Sequence, residues 1–319
     1  PFPTEKVEFQ FPTLQTATLS NGAKVVLAQR KGVPLVEMNF QFNFGYAQEN
    51  NDELGYTNFM MGMLNEGTKK YSSLEFDEVL DSLGSNLGFG SGLDTSVATL
   101  SSLKANLSQT LDLAKEALIN PTFPEKEIER IKKETLAGII QEENRPASIA
   151  YRNIGKLLYG DDHPYGKPLT GSGISETISS ITRANIMDVH SRAINSAHLT
   201  FAVAGDIEME ELVDLLESKF GDWTANSDSG LKALTTVELP DNRTIYLIDK
   251  PNAQQSYIVA GQLLPPSATD EEIEIDYMNY AIGGSFTARL NMNLREDKSW
   301  SYGVRTRLGD AKGQRAMLV

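Results

Sequence analysis

The chain contains no cysteine. Disulfides and thiolate metal sites are therefore excluded, and any zinc would have to be held by histidine and carboxylates. Histidine is itself scarce, with three in 319 residues: His163, His190 and His198. His163 precedes a proline in a predicted loop, and the other two flank a helix end and a strand start. Each reads as a packed or hydrogen-bonded residue rather than a ligand. No apolar run approaches the roughly 18 residues that a membrane-spanning helix needs, so no membrane span is expected. Positive charge is also short. With 29 Lys and Arg against 43 Asp and Glu, the net charge is −14, a balance that disfavours nucleic acid and anionic membrane surfaces and favours a soluble protein. An initiator Met is missing too, the chain opening on Pro1-Phe2-Pro3. It is expected to be a processed product or an excised piece, with any targeting segment already gone.

What is present is an ordinary globular composition, 40% hydrophobic, ample for one large or two medium cores. After the turn signal Ser20-Asn21-Gly22, Lys24–Arg30 reads as a strand. Val36, Met38, Phe40, Phe42 and Phe44 then alternate with polar residues, the period of a strand with one buried face. Ser72 and Glu75 form a capping box ahead of Phe76, Val79, Leu80 and Leu83, and Gly84 closes that helix. A second helix carries Leu107, Leu111, Ala114 and Leu118, and a third runs from Pro124 towards Pro146. A strand at Leu199–Val203 and an amphipathic helix at Glu210–Phe220 follow.

Thr224–Gly230 is small, polar and aperiodic, the one clear linker. Beyond it the opening order recurs, offset by roughly 220 residues. Thr244–Asp249 and Gln255–Leu264 are expected as strands, followed by a helix from about Glu271 to Gly283-Gly284. This predicts a first domain at 13–223, a linker at 224–238, and at 239–319 the start of a second, homologous domain, truncated relative to the first. The run Gly88-x-Gly90-x-Gly92 is not placed to cradle phosphate and is expected to mark a bend or a close approach between strands.

One stretch poses a problem. On a helix, positions 58, 61 and 62 share a face, the spacing of the inverted zinc motif H-x-x-E-H, in which two imidazoles bind metal and the Glu activates water. Here the positions hold Asn58, Met61 and Gly62. An amide is a poor zinc ligand, a thioether suits softer metals, and glycine has no side chain. A second stretch, Gly283–Val304, sets Arg295 and Tyr302 seven residues apart. A guanidinium is a fixed multi-donor fork and a phenol a single donor, so together they could grip a peptide carbonyl and an oxyanion. The plainer reading is a surface Arg and a core Tyr.

The stretch "DELGYTNFMMGMLNEGTKKYSS" resembles the pitrilysin/insulinase family of zinc metallopeptidases, and the resemblance runs over nearly the whole chain. "YGDDHPYGKPLTGS" and "AVAGDIEMEELVDLLESKFGDW" are similar to further family segments. The resemblance implies an α+β fold of LuxS/metallohydrolase-like (mitochondrial-processing-peptidase-like) domains, a mixed sheet with helices packed on one face. It places the family's third zinc ligand, a Glu, at Gly138, so that Asn58, Met61, Gly62 and Gly138 all lack ligands and no metal is expected on this chain. It also implies that Arg295 would hold a substrate carbonyl and Tyr302 would donate to the oxyanion. The family's Gly-Gly, Arg-Leu and Leu-Arg-Glu elements stand here as Gly283, Gly284, Arg289, Leu290, Leu294, Arg295 and Glu296, with Asp297 and Trp300 departing from the usual segment. The expectation is the zinc-free half of a two-half metalloendopeptidase, inactive alone. Its partner would be a homologous H-x-x-E-H half carrying the zinc, and its substrate a peptide or unfolded protein. The expected compartment is the periplasm. The alternative is an inert scaffold or peptide-binding protein of the same fold.

Overall fold

The computed structural model describes residues 12–224, 230–238 and 242–319. Residues 225–229 of the expected linker and the first residues of the expected second domain lie outside that set. The contacts gather into two compact units, each built from separated parts of the chain. The first comprises the described residues of Pro1–Gly45, Thr57–Ile131 and Ile181–Gly230, and the second Tyr46–Tyr56, Lys132–Ser180 and Leu231–Val319.

The elements follow in chain order: β1 (Leu14–Thr18), β2 (Lys24–Gln29), β3 (Leu35–Phe42), α1 (Tyr56–Met61), α2 (Ser73–Ser82), β4 (Asn86–Ser91), β5 (Ser96–Leu103), α3 (Leu107–Ile119), α4 (Glu125–Asn144), α5 (Pro146–Tyr159), α6 (Ser175–Ser180), α7 (Arg183–Ala193), β6 (Leu199–Gly205) and α8 (Met209–Phe220). In the first unit six strands form one sheet in the order β1-β2-β6-β3-β5-β4. β2 and β6 run parallel while β3 pairs antiparallel with β5 and β6, so the sheet is mixed. The period-two pattern of β3 dictates its placement. Val36, Met38, Phe40 and Phe42 are buried, and Glu37 and Asn39 on the other face are exposed. Phe40 sits opposite Phe201 in the ladder, and their rings meet edge-on at 5.1 Å. Phe220, the last residue of α8, closes on both at 5.6 Å. Each such ring contributes about 1.5–3 kcal/mol by leaving water, which pins α8 to the sheet. Ser72 and Glu75 do make the capping box that starts α2. Gly88, on β4, marks a close approach: a Cβ there would lie 2.9 Å from Thr99 Oγ1 on β5.

The second unit contains α5, α6 and a small sheet. Its later elements are β7 (Gly261–Leu264), α9 (Glu272–Asn279), α10 (Arg289–Asn291), β8 (Arg307–Leu308) and β9 (Arg315–Leu318). The sheet order is β7-β9-β8, antiparallel throughout. Arg315, buried on β9, makes a two-pronged ion pair with Glu272 at the start of α9, both bonds 2.7 Å. Tyr159, ending α5, donates its hydroxyl to Gln314 O at 2.9 Å. Residues 230–238 form neither helix nor strand but are tied down: Val237 N donates to Gln314 Oε1 at 2.6 Å.

Two expected strands are corrected here. Thr244–Asp249 is not a strand, and of Gln255–Leu264 only Gly261–Leu264 forms a strand, with Ala260 exchanging backbone bonds with Val319 just ahead of it. A strand exists only where a neighbour completes its backbone ladder. Among the described residues none pairs with 244–249, and Ile245 and Leu247 stand 94% and 93% exposed. Composition alone does not make a strand, because pairing is a tertiary event. No helix among the described residues is long and apolar enough to cross a membrane.

Candidate functional site

Helix α1 is short because its flanks are fixed by specific bonds. The buried carboxylate of Glu49 accepts from Gly55 N at 2.8 Å, and Gly55 adopts φ +93°, which turns the chain into the helix. Within α1, Asn58 Oδ1 accepts from Ser91 N on β4 at 3.1 Å, so the amide serves to tie helix to strand. Met61 is wholly buried, its thioether part of the core. Gly62 lies just past the helix and is exposed. A Cβ there would make only ordinary contacts, 3.5 and 3.6 Å from the carbonyls of Asn58 and Phe59. The position has room for a side chain and does not carry one.

Gly138 is exposed on α4, with nothing within 4 Å of where its Cβ would be. One turn on, Glu142 is engaged otherwise. It accepts from Arg152 Nη1 and from Ser172 Oγ, both at 2.7 Å, while Arg152 Nη2 donates to Gly173 O at 2.8 Å. Among the described residues no group of three or more His, Asp or Glu is gathered closely enough to hold a metal ion. The donor set at Asn58, Met61, Gly62 and Gly138 does not fit zinc. The histidines are used structurally. His190, half-buried, packs edge-on against Phe123 and donates Nε2–H to Leu118 O at 2.8 Å, and desolvation holds its pKa below the ordinary value. His163 accepts at Nδ1 from Tyr165 N, which leaves Nε2–H to donate to Thr235 O at 3.0 Å.

The segment from Gly283 to Thr306 brings Arg295 and Tyr302 together. Gly283 permits it: a Cβ there would lie 2.6–2.8 Å from Thr306, whose N–H donates to Gly283 O at 3.0 Å. α10 starts at Arg289 and passes into a wider π-helical turn at Met292–Asp297. Ser299 then reverses the chain at φ +53°. The guanidinium of Arg295 rests over the ring of Phe286 at 4.8 Å and over that of Tyr302 at 5.6 Å, and Nη1 pairs with Glu296 at 3.0 Å. Tyr302 is 94% exposed, not the core tyrosine that spacing alone would favour. Two contributors escaped the sequence reading. Phe286 forms the second aromatic wall. Asn291, buried, donates from Nδ2 to Phe286 O at 2.7 Å and accepts at Oδ1 from Val304 N at 3.1 Å, so it clamps both ends of the loop. The sequence around it, with a second asparagine at Asn293, carried no signal that singled out Asn291.

Comparison with known proteins extends this geometry. Residues 24–171 match the family model of the insulinase peptidases (family M16), and residues 180–318 match the model described as the M16 inactive domain. An uncharacterized zinc protease of Mycobacterium leprae is 21% identical over 90% of this chain and 64% of its own length. The chain thus spans about two thirds of the length of that relative. Among solved structures, a peptidase M16 inactive domain from Pseudomonas fluorescens is 25% identical with a TM-score of 0.82, covering 96% of this chain and 73% of that one. The periplasmic protease PqqL of Escherichia coli shares the fold at 15% identity and a TM-score of 0.70, over 96% of this chain and 35% of that one.

Proposed function

The chain belongs to the M16 insulinase family of peptidases, and on that premise we propose that it is the zinc-free half of a two-half metalloendopeptidase. In this reading residues 13–223 are a first domain with a vacated zinc motif, 224–238 a linker, and 239–319 the opening of a homologous second domain. The partner is a homologous half bearing H-x-x-E-H, where zinc is expected, and the substrate is a peptide or unfolded protein. The compartment we infer is the periplasm, that of the PqqL protease whose fold this chain shares.

The observation that carries the reading is the placement of Arg295 beside an exposed Tyr302, 5.6 Å from guanidinium to ring. A guanidinium held against aromatic rings keeps a restricted plane, and the N–H groups that Glu296 does not engage are suited to a peptide carbonyl. Tyr302 then donates its hydroxyl to the oxyanion that develops as the carbonyl is attacked. A preset donor of this kind is worth roughly 3 kcal/mol, or about a hundredfold in kcat. Both residues hold and orient; neither supplies the attacking group, so the chain alone is expected to be inactive.

The test is hydrolysis of a quenched, unstructured peptide by this chain, by its H-x-x-E-H partner, and by the two together, with the mixture repeated using Tyr302→Phe. Activity in the mixture alone, lowered about a hundredfold by the substitution, is the expected result. Partner activity that ignores both this chain and Tyr302 would overturn the proposal in favour of a scaffold or peptide-binding protein.

A further inference from the structure

Away from Arg295 and Tyr302, the second unit contains a polar cavity of about 190 Å³ lined by Asn50, Asn51, Asp161, Asp162, Lys167 and Lys232, with His163 and Pro164 completing it. A second cavity adjoins it and shares Asn51, Asp161 and Lys167. Lys167 is 6% exposed, whereas Asn50, Asn51, Asp161 and Asp162 are exposed, so Lys167 forms the buried floor of the cavity and the other four its rim. The walls are held in place. Lys232 N donates to Gln48 Oε1 at 2.7 Å and its ammonium to Glu49 O at 2.5 Å. Both nitrogens of His163 are engaged, as described above, and a Cβ on Gly155 would lie 2.4 Å from Lys167 O. The Lys167 backbone is therefore packed directly against Gly155 of α5.

We propose that this cavity is a carboxylate-binding site, with Lys167 at its floor and Lys232 beside it, and that it takes the C-terminal carboxylate of a bound peptide. The peptide part of this rests on the function proposed above; the carboxylate part does not. A buried ammonium loses hydration, and a second ammonium beside it adds repulsion. Both effects are present: burial first, then Lys232, lower the Lys167 pKa to about 8, with Glu49 and Glu53 opposing. A monoanion in the cavity would relieve both at once through a charge-assisted hydrogen bond. The rim selects against higher charge. Asp161 is paired with Lys156 at 2.9 Å, but Asp162 still faces an entering anion, which disfavours a phosphate more than a carboxylate. The volume suits the end of one residue rather than a long segment.

The direct test labels the lysines with an N-hydroxysuccinimide ester and follows each by mass spectrometry, in sodium acetate, sodium phosphate or sodium chloride at equal ionic strength. Acetate is expected to slow labelling of Lys167 severalfold relative to chloride, with phosphate weaker and the exposed lysines unaffected. Equal labelling of Lys167 in acetate and chloride would overturn the proposal. A second measurement compares fluorescent peptides as free acid, as C-terminal amide, and as amide with a final Glu. The free acid is expected to bind about tenfold tighter than either amide, and Lys167→Met to erase that difference while Lys167→Arg retains part of it. A free acid that binds no better than the simple amide would overturn terminal recognition, and preference for the Glu amide would reassign the carboxylate to a side chain. If no peptide binds yet acetate protects Lys167, the function proposed above fails while the carboxylate site stands.

Discussion

Helix α1 and the Gly283–Thr306 segment hold their residues in opposite ways. In α1 the chemistry has been absorbed into structure: Asn58 secures a strand, Met61 fills the core, and Gly62 leaves a permitted space empty. In the later segment structure is arranged around chemistry. A glycine that tolerates no side chain, a buried asparagine and a residue at positive φ hold an arginine and a tyrosine out at the surface. Helix α1 is held by the side chains it buries, whatever else stands on it. Tyr302, 94% exposed, gains little from burial in that arrangement, so its placement beside the half-buried Arg295 needs another reason.

The sharpest way to break that contrast is to remove the support of the second unit. Arg315→Met leaves Glu272 partly buried without its partner and is expected to cost about 3 kcal/mol in urea unfolding. It should disturb the Arg295–Tyr302 segment through α9 while leaving the near-ultraviolet signal of Trp223, in the first unit, intact. The two asparagines give the next test. Asn291→Ala loses two buried bonds, about 2 kcal/mol, and should lower turnover in the reconstituted mixture. Asn58→Ala should cost about 1 kcal/mol and leave turnover unchanged. If both lower turnover alike, the contrast between the regions is wrong.

Acid titration probes the first unit. His190 has a folded pKa below its unfolded value near 6.5, because burial penalises the imidazolium more than its bond to Leu118 O favours it. Its contribution is present in full above pH 6.5 and is lost as pH falls towards the folded pKa, by at most about 1.4 kcal/mol per pH unit. Urea midpoints should therefore fall between pH 7.5 and 5.5, and His190→Gln should flatten that slope. The smallest effect is expected at Gly138→Ala. An open, exposed position inside α4 should gain about 0.5–1 kcal/mol of stability, with no change in function. A loss of stability there would mean that Gly138 has a role beyond its missing ligand.

The first unit was largely legible from residue order. The alternation of β3, the capping box at Ser72 and the helix periods are local patterns, and each appears where local physics puts it. The poor zinc-donor character of Asn58, Met61, Gly62 and Gly138 was legible for the same reason, since it belongs to the residue types. The second unit was less so. Thr244–Asp249 has the composition of a strand, but strand formation depends on a partner that no local pattern reports. Asn291 and Lys167 were missed because an asparagine or lysine is ordinary until burial gives it a task.

By itself, the order of residues determined which side chains this chain can offer: no thiolate, three histidines, and one arginine and one tyrosine at a suggestive spacing. Only the tertiary structure decided that Arg295 and Tyr302 meet, that Asn58 is spent on a strand, and that Lys167 lies at the floor of a cavity beside Lys232. The physical reason is that donor type belongs to the side chain alone. Proximity, burial and the resulting shift in charge balance depend on segments far apart in sequence, and exist only once those segments are packed.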